Sequence, residues 1–554
     1  MAEVGMLKSY DSRIRLRFSE ILKRILEICD PRKLTRDKLS SLASTESMDR
    51  DEDKQITLFA VGKASLFMAL GAKDFLRTEG ITGGIIVAPR AALSTGTGQK
   101  AAAELEAFGL EVMGTEHPYP GEGSFLAGKA VLETVRNCKG RCLFLLSGGA
   151  SSLMELNHEK FPRNEVFAIN KALVTSGANI AEINTVRKHI SAIKGGRLAQ
   201  EFSGTSMVNL IISDVTGSAL ETIGSGPTYR DSYDSTFKRC RDILQRYDIL
   251  KLLSIEGRDF FNTGDPEYES PKELLNDDKL EYHILLSNEV LVEIISREYN
   301  YELFLPATEI VPGFSPDRLT AASLATHLLD LCRRTLSAKP NSVCSVEKSS
   351  KFVIGGEPTV RVMGKGTGGR AQHTALLFLV GLMTDETLWE RRNDITLVTF
   401  ATDGMDGNSP GAGVIVDGVL FDKLISSFNE SGAYCQWCEV RQNVEIRSLT
   451  MFVESGPVGI LPRAQLCRRY NGAKREPVDF WRKSKAQGNL RLTGVQREPE
   501  RTDSAESVRA KMLGAVNEYL DKFDSYGFFE KYDSSIITGP TGTNVLDVYL
   551  LEIA

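Results

Sequence analysis

No stretch of about 20 consecutive apolar residues occurs in this chain, so no membrane-spanning helix is expected. Positive charge is not in excess either. The 67 Lys+Arg stand against 73 Asp+Glu, a formal net charge of -6, which excludes a broadly basic nucleic-acid binder. The opening residues Met1-Ala2-Glu3-Val4-Gly5 carry an early acid and lack an apolar core before a small-residue cleavage site. No secretory leader is therefore expected, and a cytoplasmic location is favoured over a mitochondrial one. The nine cysteines are scattered and odd in number, which suits a reducing compartment better than a disulfide framework. Cys435-Gln436-Trp437-Cys438 is the single C-x-x-C, with no second pair or nearby histidine to complete a zinc site.

What is present is a long chain with an ordinary core composition. At roughly 100–200 residues per domain, 554 residues with 42% hydrophobic content allow two to four domains. Short apolar runs alternate with amphipathic stretches, at residues 56–61, 84–88, 142–146, 208–212, 283–286, 352–354 and 395–400. Strands apolar on both faces imply mainly parallel sheets covered by helices, hence an α/β fold. The polar, turn-rich residues 262–280 suit a linker, which divides the chain into an N-terminal Rossmann-like domain over 1–265 and a C-terminal α/β domain over 280–554. From 431 to 503 the α/β rhythm stops. Nine Lys/Arg against two acids fall within 461–491, so this segment reads as a solvated insertion rather than a nucleic-acid surface.

The chemistry lies just beyond the strands. Several end in small or polar residues: Gly62-Lys63-Ala64-Ser65, Ser147-Gly148-Gly149-Ala150-Ser151-Ser152, Ser213-Asp214 and Thr402-Asp403-Gly404. Ligands of open α/β sheets sit at the carboxyl ends of the strands, where small residues let backbone N–H groups approach. The densest signal is Gly355-Gly356-Glu357, followed by Gly364-Lys365-Gly366-Thr367-Gly368-Gly369-Arg370 and an apolar helix. Such a loop can form a nest for phosphate oxygens, and Arg370 can clamp a carboxylate or phosphoryl group. Neither Gly-Lys pair is followed by Ser/Thr, so this is not a Walker A loop, and the glycine spacing also departs from the dinucleotide fingerprint. Arg187 and Lys188 add positive charge ahead of the Asp214 strand. Cations, glycine loops and the isolated aspartates Asp214, Asp403 and Asp406, which could hold Mg²⁺, together describe phosphoryl transfer. His189, beside these cations, reads as a structural hydrogen bonder.

These motifs, in their order along the chain, resemble the class II glycerate kinases with their MOFRL-type C-terminal domain. The resemblance is carried by Val61-Gly62-Lys63-Ala64, His117-Pro118-Tyr119-Pro120, Ser147-Gly148-Gly149-Ala150-Ser151, Asn184-Thr185-Val186-Arg187-Lys188-His189 and Ser225-Gly226-Pro227-Thr228. It continues through Gly355-Gly356-Glu357, Gly368-Gly369-Arg370, Thr402-Asp403-Gly404-Met405-Asp406-Gly407 and Thr538-Gly539-Pro540-Thr541-Gly542-Thr543-Asn544. It implies ATP- and Mg²⁺-dependent phosphorylation of D-glycerate to 2-phosphoglycerate, by a monomer or homodimer of two unlike α/β/α lobes with largely parallel sheets and a site in the cleft between them. It also implies that Lys63 and Arg370 are active-site residues. On this reading Lys63, Arg370, Asp214 and Asp403 are catalytic, and Asp214, Asp403 and Asp406 bind the metal. Ser147, Gly148, Gly149, Ser151, Gly364, Gly366, Gly368 and Gly369 meet the nucleotide, while Arg187, Lys188, Ser213 and Glu357 meet the substrate. Gly121-Glu122 where the family commonly has Asp, Ala150 within the usual run of glycines and Ser218 in place of an acid are departures. The competing enzyme class is a nicotinamide-dependent hydroxypyruvate reductase using 364–369 as its dinucleotide loop.

Overall fold

Two six-stranded sheets organise the chain in a computed structural model, which describes residues 13–44, 55–263, 266–304, 319–337, 350–429 and 505–554. The first sheet comprises β1 (Ile56–Val61), β2 (Ile81–Pro89), β3 (Glu111–Thr115), β4 (Arg141–Ser147), β5 (Ser206–Ile212) and β6 (Leu280–Leu286). All are parallel, in the order β3-β2-β1-β4-β5-β6. The order reverses between β1 and β4, and that reversal opens a crevice at the carboxyl ends of the two strands.

The second sheet contains β7 (Glu302–Phe304), β8 (Ser350–Gly356), β9 (Ile395–Ala401), β10 (Gly413–Val416), β11 (Ser535–Ile536) and β12 (Asp547–Ile553), in the order β11-β10-β9-β12-β8-β7. Only β7 and β8 pair in parallel. The last strand, β12, runs between β8 and β9 and opposes both. Parallel pairing was thus the right expectation for the first sheet and the wrong one for most of the second. A strand covered on both faces is apolar whichever way its neighbours run, so periodicity carries no information on direction.

The expected division at 265–280 falls inside the first sheet, because β6 is its edge strand. Nor is the preceding segment free. Ser270 Oγ donates to Asp231 Oδ2 at 2.6 Å, Asn276 Nδ2 to the Ala199 carbonyl at 2.7 Å and Lys279 Nζ to the Gly204 carbonyl at 3.1 Å. At the other end, helix Arg13–Ile28 buries Phe18, Ile21, Leu22 and Ile25, a helical spacing, in a core shared with Leu291, Val292 and Ile295. Its Arg15 is fully buried and forks onto Asp417, with Nε to Oδ2 at 2.7 Å and Nη2 to Oδ1 at 2.9 Å, next to the end of β10. The chain therefore starts against the second sheet before it builds the first. A further compact unit, Leu424–Gly514, is described only at residues 424–429 and 505–514. The Cys435–Cys438 pair and the basic 461–491 stretch lie outside the described residues.

Arg15→Leu would strand the buried Asp417 carboxylate. We expect a loss of about 3–5 kcal/mol in stability, read as a lower denaturant midpoint. An unchanged midpoint would show that this pair does not anchor the N-terminal helix.

Candidate active site

The strand ends of both sheets bring their charged residues to one crevice. Gly62 closes β1 with φ of +133°, and a Cβ there would lie 2.1 Å from Ser147 Oγ at the end of β4. Only glycine lets the two loops approach so closely. The Lys63 N–H then donates to the Gly148 carbonyl at 2.9 Å, and the Ala64 N–H to Ser147 Oγ at 3.0 Å. Held in this way, Lys63 reaches the second sheet, with Nζ 3.7 Å from Oδ2 of Asp403 just past β9. Both side chains keep about a quarter of their surface open, at 28% and 24%.

Around this pair the register gathers further groups. Asp214, just past β5, packs against Gly148 and accepts the Gly149 N–H. Burial pushes its carboxyl up, while the Lys63 charge pulls it down. His117, after β3, approaches Gly149 and Lys63 within the crevice walls. Those walls and the lysine hold its imidazole at about 4, so it is neutral near pH 7. On the second sheet Asp547, the first residue of β12, stands in register with Gly356 of β8 and Ala401 of β9. One sheet edge therefore carries Glu357, Asp403 and Asp547 together. Arg370 opens helix Arg370–Thr384 and forks onto Asp547, with Nε to Oδ2 at 2.8 Å and Nη2 to Oδ1 at 3.2 Å. Its Nη1 meets Glu357 Oε1 at 2.5 Å. Although burial works against it, these carboxylates hold the guanidinium above its ordinary pKa.

Several expected site residues are committed elsewhere. Asp406 is 1% exposed, and its two oxygens accept the N–H groups of Ala371 (3.2 Å) and Gln372 (2.7 Å) at the start of the Arg370 helix. It is a helix cap and presents no free oxygen edge to a metal ion. The 364–369 loop is not an open nest. Its Gly366 N–H donates to the Lys522 carbonyl, Thr367 N–H to Asp524 Oδ1 and Gly368 N–H to Asn408 Oδ1. A Cβ on Gly364, Gly366 or Gly368 would come within 2.1–2.5 Å of residues 522–525, so these glycines serve close packing. Gly369 in turn lies against Asp406. Ser147 is likewise used to hold the Lys63 loop, and Ser151 Oγ pairs with Ser225 Oγ at 2.8 Å.

The two expected substrate cations separate. Lys188 forms a buried ion pair with Asp231 at 2.5 Å, whereas Arg187 is half-buried and bonds the neutral Asn170 through Nε at 2.6 Å. Ser213 is buried in its own turn, accepting from the Val215 N–H and the Ser218 hydroxyl. His189 bonds the Thr185 carbonyl and Glu269, the structural role expected of it. Asp547 and His117 were not among the expected site residues. His117 stands in one of the motifs above, and Asp547 lies three residues beyond another, but the pairing of β12 with β8 and β9 is what brings it to the edge.

Comparison with known proteins bears on the family and the fold. Residues 17–261 match a domain of unknown function, DUF4147, and residues 350–444 match the MOFRL family. The chain is 34% identical over 378 residues to a glycerate 2-kinase of Pyrococcus horikoshii, covering 67% of this chain and 77% of that one. It is 33% identical to a D-glycerate 2-kinase of Thermotoga maritima, covering 72% and 85%. A protein of Agrobacterium vitis named as a putative hydroxypyruvate reductase is 30% identical over 320 residues, covering 55% and 66%. Among solved structures, a glycerate kinase of Thermotoga maritima matches with a TM-score of 0.62 at 26% identity, covering 97% of this chain and 98% of that one.

If Asp406 is a cap, Asp406→Ala should cost about 1–2 kcal/mol of stability in denaturant unfolding, because two first-turn N–H groups lose their acceptor. An unaltered midpoint would refute the capping role.

Proposed function

The chain belongs to the class II glycerate kinase family, and from that premise we propose that it transfers the terminal phosphoryl group of ATP to D-glycerate, giving 2-phosphoglycerate, in the crevice where Lys63 faces Asp403. As a glycerate kinase it must neutralise the charge that spreads over the transferring group, since positioning and electrostatics supply most of the catalysis in phosphoryl transfer. The observation that carries the assignment is the 3.7 Å approach of Lys63 Nζ to Asp403 Oδ2 across the two sheets. It supports placing a cation beside a partly open carboxylate where the strand ends of the two sheets meet.

In this proposal Lys63 and Nη1 of Arg370 contact the phosphoryl oxygens. Asp214 takes the proton of the attacking hydroxyl on its carboxylate, since burial raises its proton affinity. Arg187, the cation of the 187–188 pair that is not committed to a carboxylate, takes the glycerate carboxylate, its guanidinium held at Nε by Asn170.

The donor set fits Mg²⁺. The ion prefers one or two carboxylates with water and nucleotide phosphates, and Asp403, with about a quarter of its side chain open (24%), offers one. Asp403 would hold it, and when bound it supplies further charge neutralisation on the phosphates. A reductase would instead need the 364–369 loop to receive a dinucleotide. The N–H groups of Gly366, Thr367 and Gly368 are already donated within the protein, which gives that reading no support.

Lys63→Ala and Arg370→Ala should each lower kcat/KM for ATP-dependent glycerate phosphorylation by about a hundredfold or more. Near wild-type turnover in either variant would remove that residue from the mechanism. Chromatographic separation of 2- from 3-phosphoglycerate tests the product, and accumulation of the 3-isomer would overturn the assigned hydroxyl.

A further inference from the structure

Arg370 has two unlike carboxylate neighbours. Asp547 is fully buried, with a side chain 1% exposed, and takes Nε and Nη2 in a two-point fork. Glu357 is 41% exposed and meets only Nη1. A guanidinium is a planar fork, so a bidentate partner on one edge fixes both the position and the plane of the opposite edge. Asp547 is itself held by the sheet. It lies between β8 and β9, and its backbone carbonyl accepts a 3.0 Å hydrogen bond from Asn288 Nδ2, which also donates to the Val545 carbonyl at 2.7 Å. Tyr549 Oη adds a 3.4 Å contact to Asp547 Oδ2. Glu357 has no comparable constraint among the described residues.

We infer that Asp547 is the positioning residue that aims Arg370, and that Glu357 occupies on Nη1 the place an anionic oxygen of the ligand takes over. The inference rests on the reading of Arg370 as an active-site residue. Asp547 touches neither substrate nor nucleotide and acts only through the arginine. An anion arriving at Nη1 displaces the exposed Glu357 and leaves the buried fork intact. Arg370 thus stays in place while it exchanges one carboxylate oxygen for a ligand oxygen.

A double-variant cycle tests this on the full-length enzyme. Asp547→Asn keeps the shape and removes the charge. It should lower kcat by about tenfold or more while KM for glycerate and ATP stays within about threefold, the pattern of a misaimed group. In the Arg370→Ala background the same substitution should cost about nothing further, because nothing is left to aim. A kcat for Asp547→Asn within about twofold of wild type, or a double variant that loses the full product of both factors, would overturn the inference.

Asp547→Asn could fold poorly, so added guanidinium provides an independent measurement. It should restore activity to Arg370→Ala, where Asp547 still docks it, and not to the Arg370→Ala/Asp547→Asn double variant, in which both buried charges have gone together. Equal rescue in the two backgrounds would refute the positioning role. Activity retained by Arg370→Ala alone would remove Arg370 from the proposed mechanism, whereas an impaired Arg370→Ala beside a normal Asp547→Asn would bring down only this inference.

Discussion

The crevice depends on an imbalance of charge held at two sheet edges. Lys63 and Arg370 supply two positive charges there, and Asp214, Glu357, Asp403 and Asp547 supply four carboxylates. Such a cluster persists because each member has a partner or an open face. Arg370 lies between Asp547 and Glu357, Lys63 leans on Asp403, and Glu357 and Asp403 stay partly solvated. For a nucleotide this arrangement is selective. On the proposed function, each negative charge of an ATP tail brought within a few ångströms of an ionised carboxylate there meets a repulsion of about 4 kcal/mol. On the same reading, a divalent cation arriving with ATP would offset that repulsion.

The strand ends were readable because an apolar run followed by glycine, serine or aspartate has few uses other than a loop at the edge of a buried sheet. Lys63, Asp214 and Asp403 were singled out in that way, and the structure brings them to neighbouring strand ends. The glycine-rich loop was misread for a related reason. Glycine spacing is the same whether the missing Cβ makes room for a phosphate or for the protein's own backbone, and here residues 522–525 fill the room. Asp406 was misread because an aspartate close after a strand looks alike as a metal ligand and as a cap. The difference lies in the helix that opens at Arg370, whose Ala371 and Gln372 N–H groups stand 35 and 34 residues before it.

Asp547 was illegible because its meaning is non-local. It follows the Thr538–Asn544 motif after Val545-Leu546 and precedes the ordinary apolar run Val548-Tyr549-Leu550-Leu551, so it stands at the start of a strand where the other candidates follow one. Its place depends on the last strand threading between β8 and β9. The domain division failed in the same manner. Turn-rich composition over 262–280 reads alike for a free linker and for a segment fastened by Ser270, Asn276 and Lys279, and the binding of Arg15 to Asp417 spans 402 residues.

The two sheets are joined by contacts of unequal strength, and that inequality assigns which of them yields when a ligand enters. Asn288, beyond the end of β6, is 5% exposed and places two short hydrogen bonds on the backbone that carries Asp547. Each is worth about 0.5–1.5 kcal/mol, and breaking one strands a buried polar group at a cost of about 1–3 kcal/mol. The Lys63–Asp403 contact is longer and open to solvent, in the class of ion pairs worth about 0–1 kcal/mol. A phosphoryl group can therefore part Lys63 from Asp403 at little cost, while Asn288 keeps the Asp547 edge in place. On the proposed function, the weak contact is the one a ligand would part, and the strong one keeps Arg370 aimed at it.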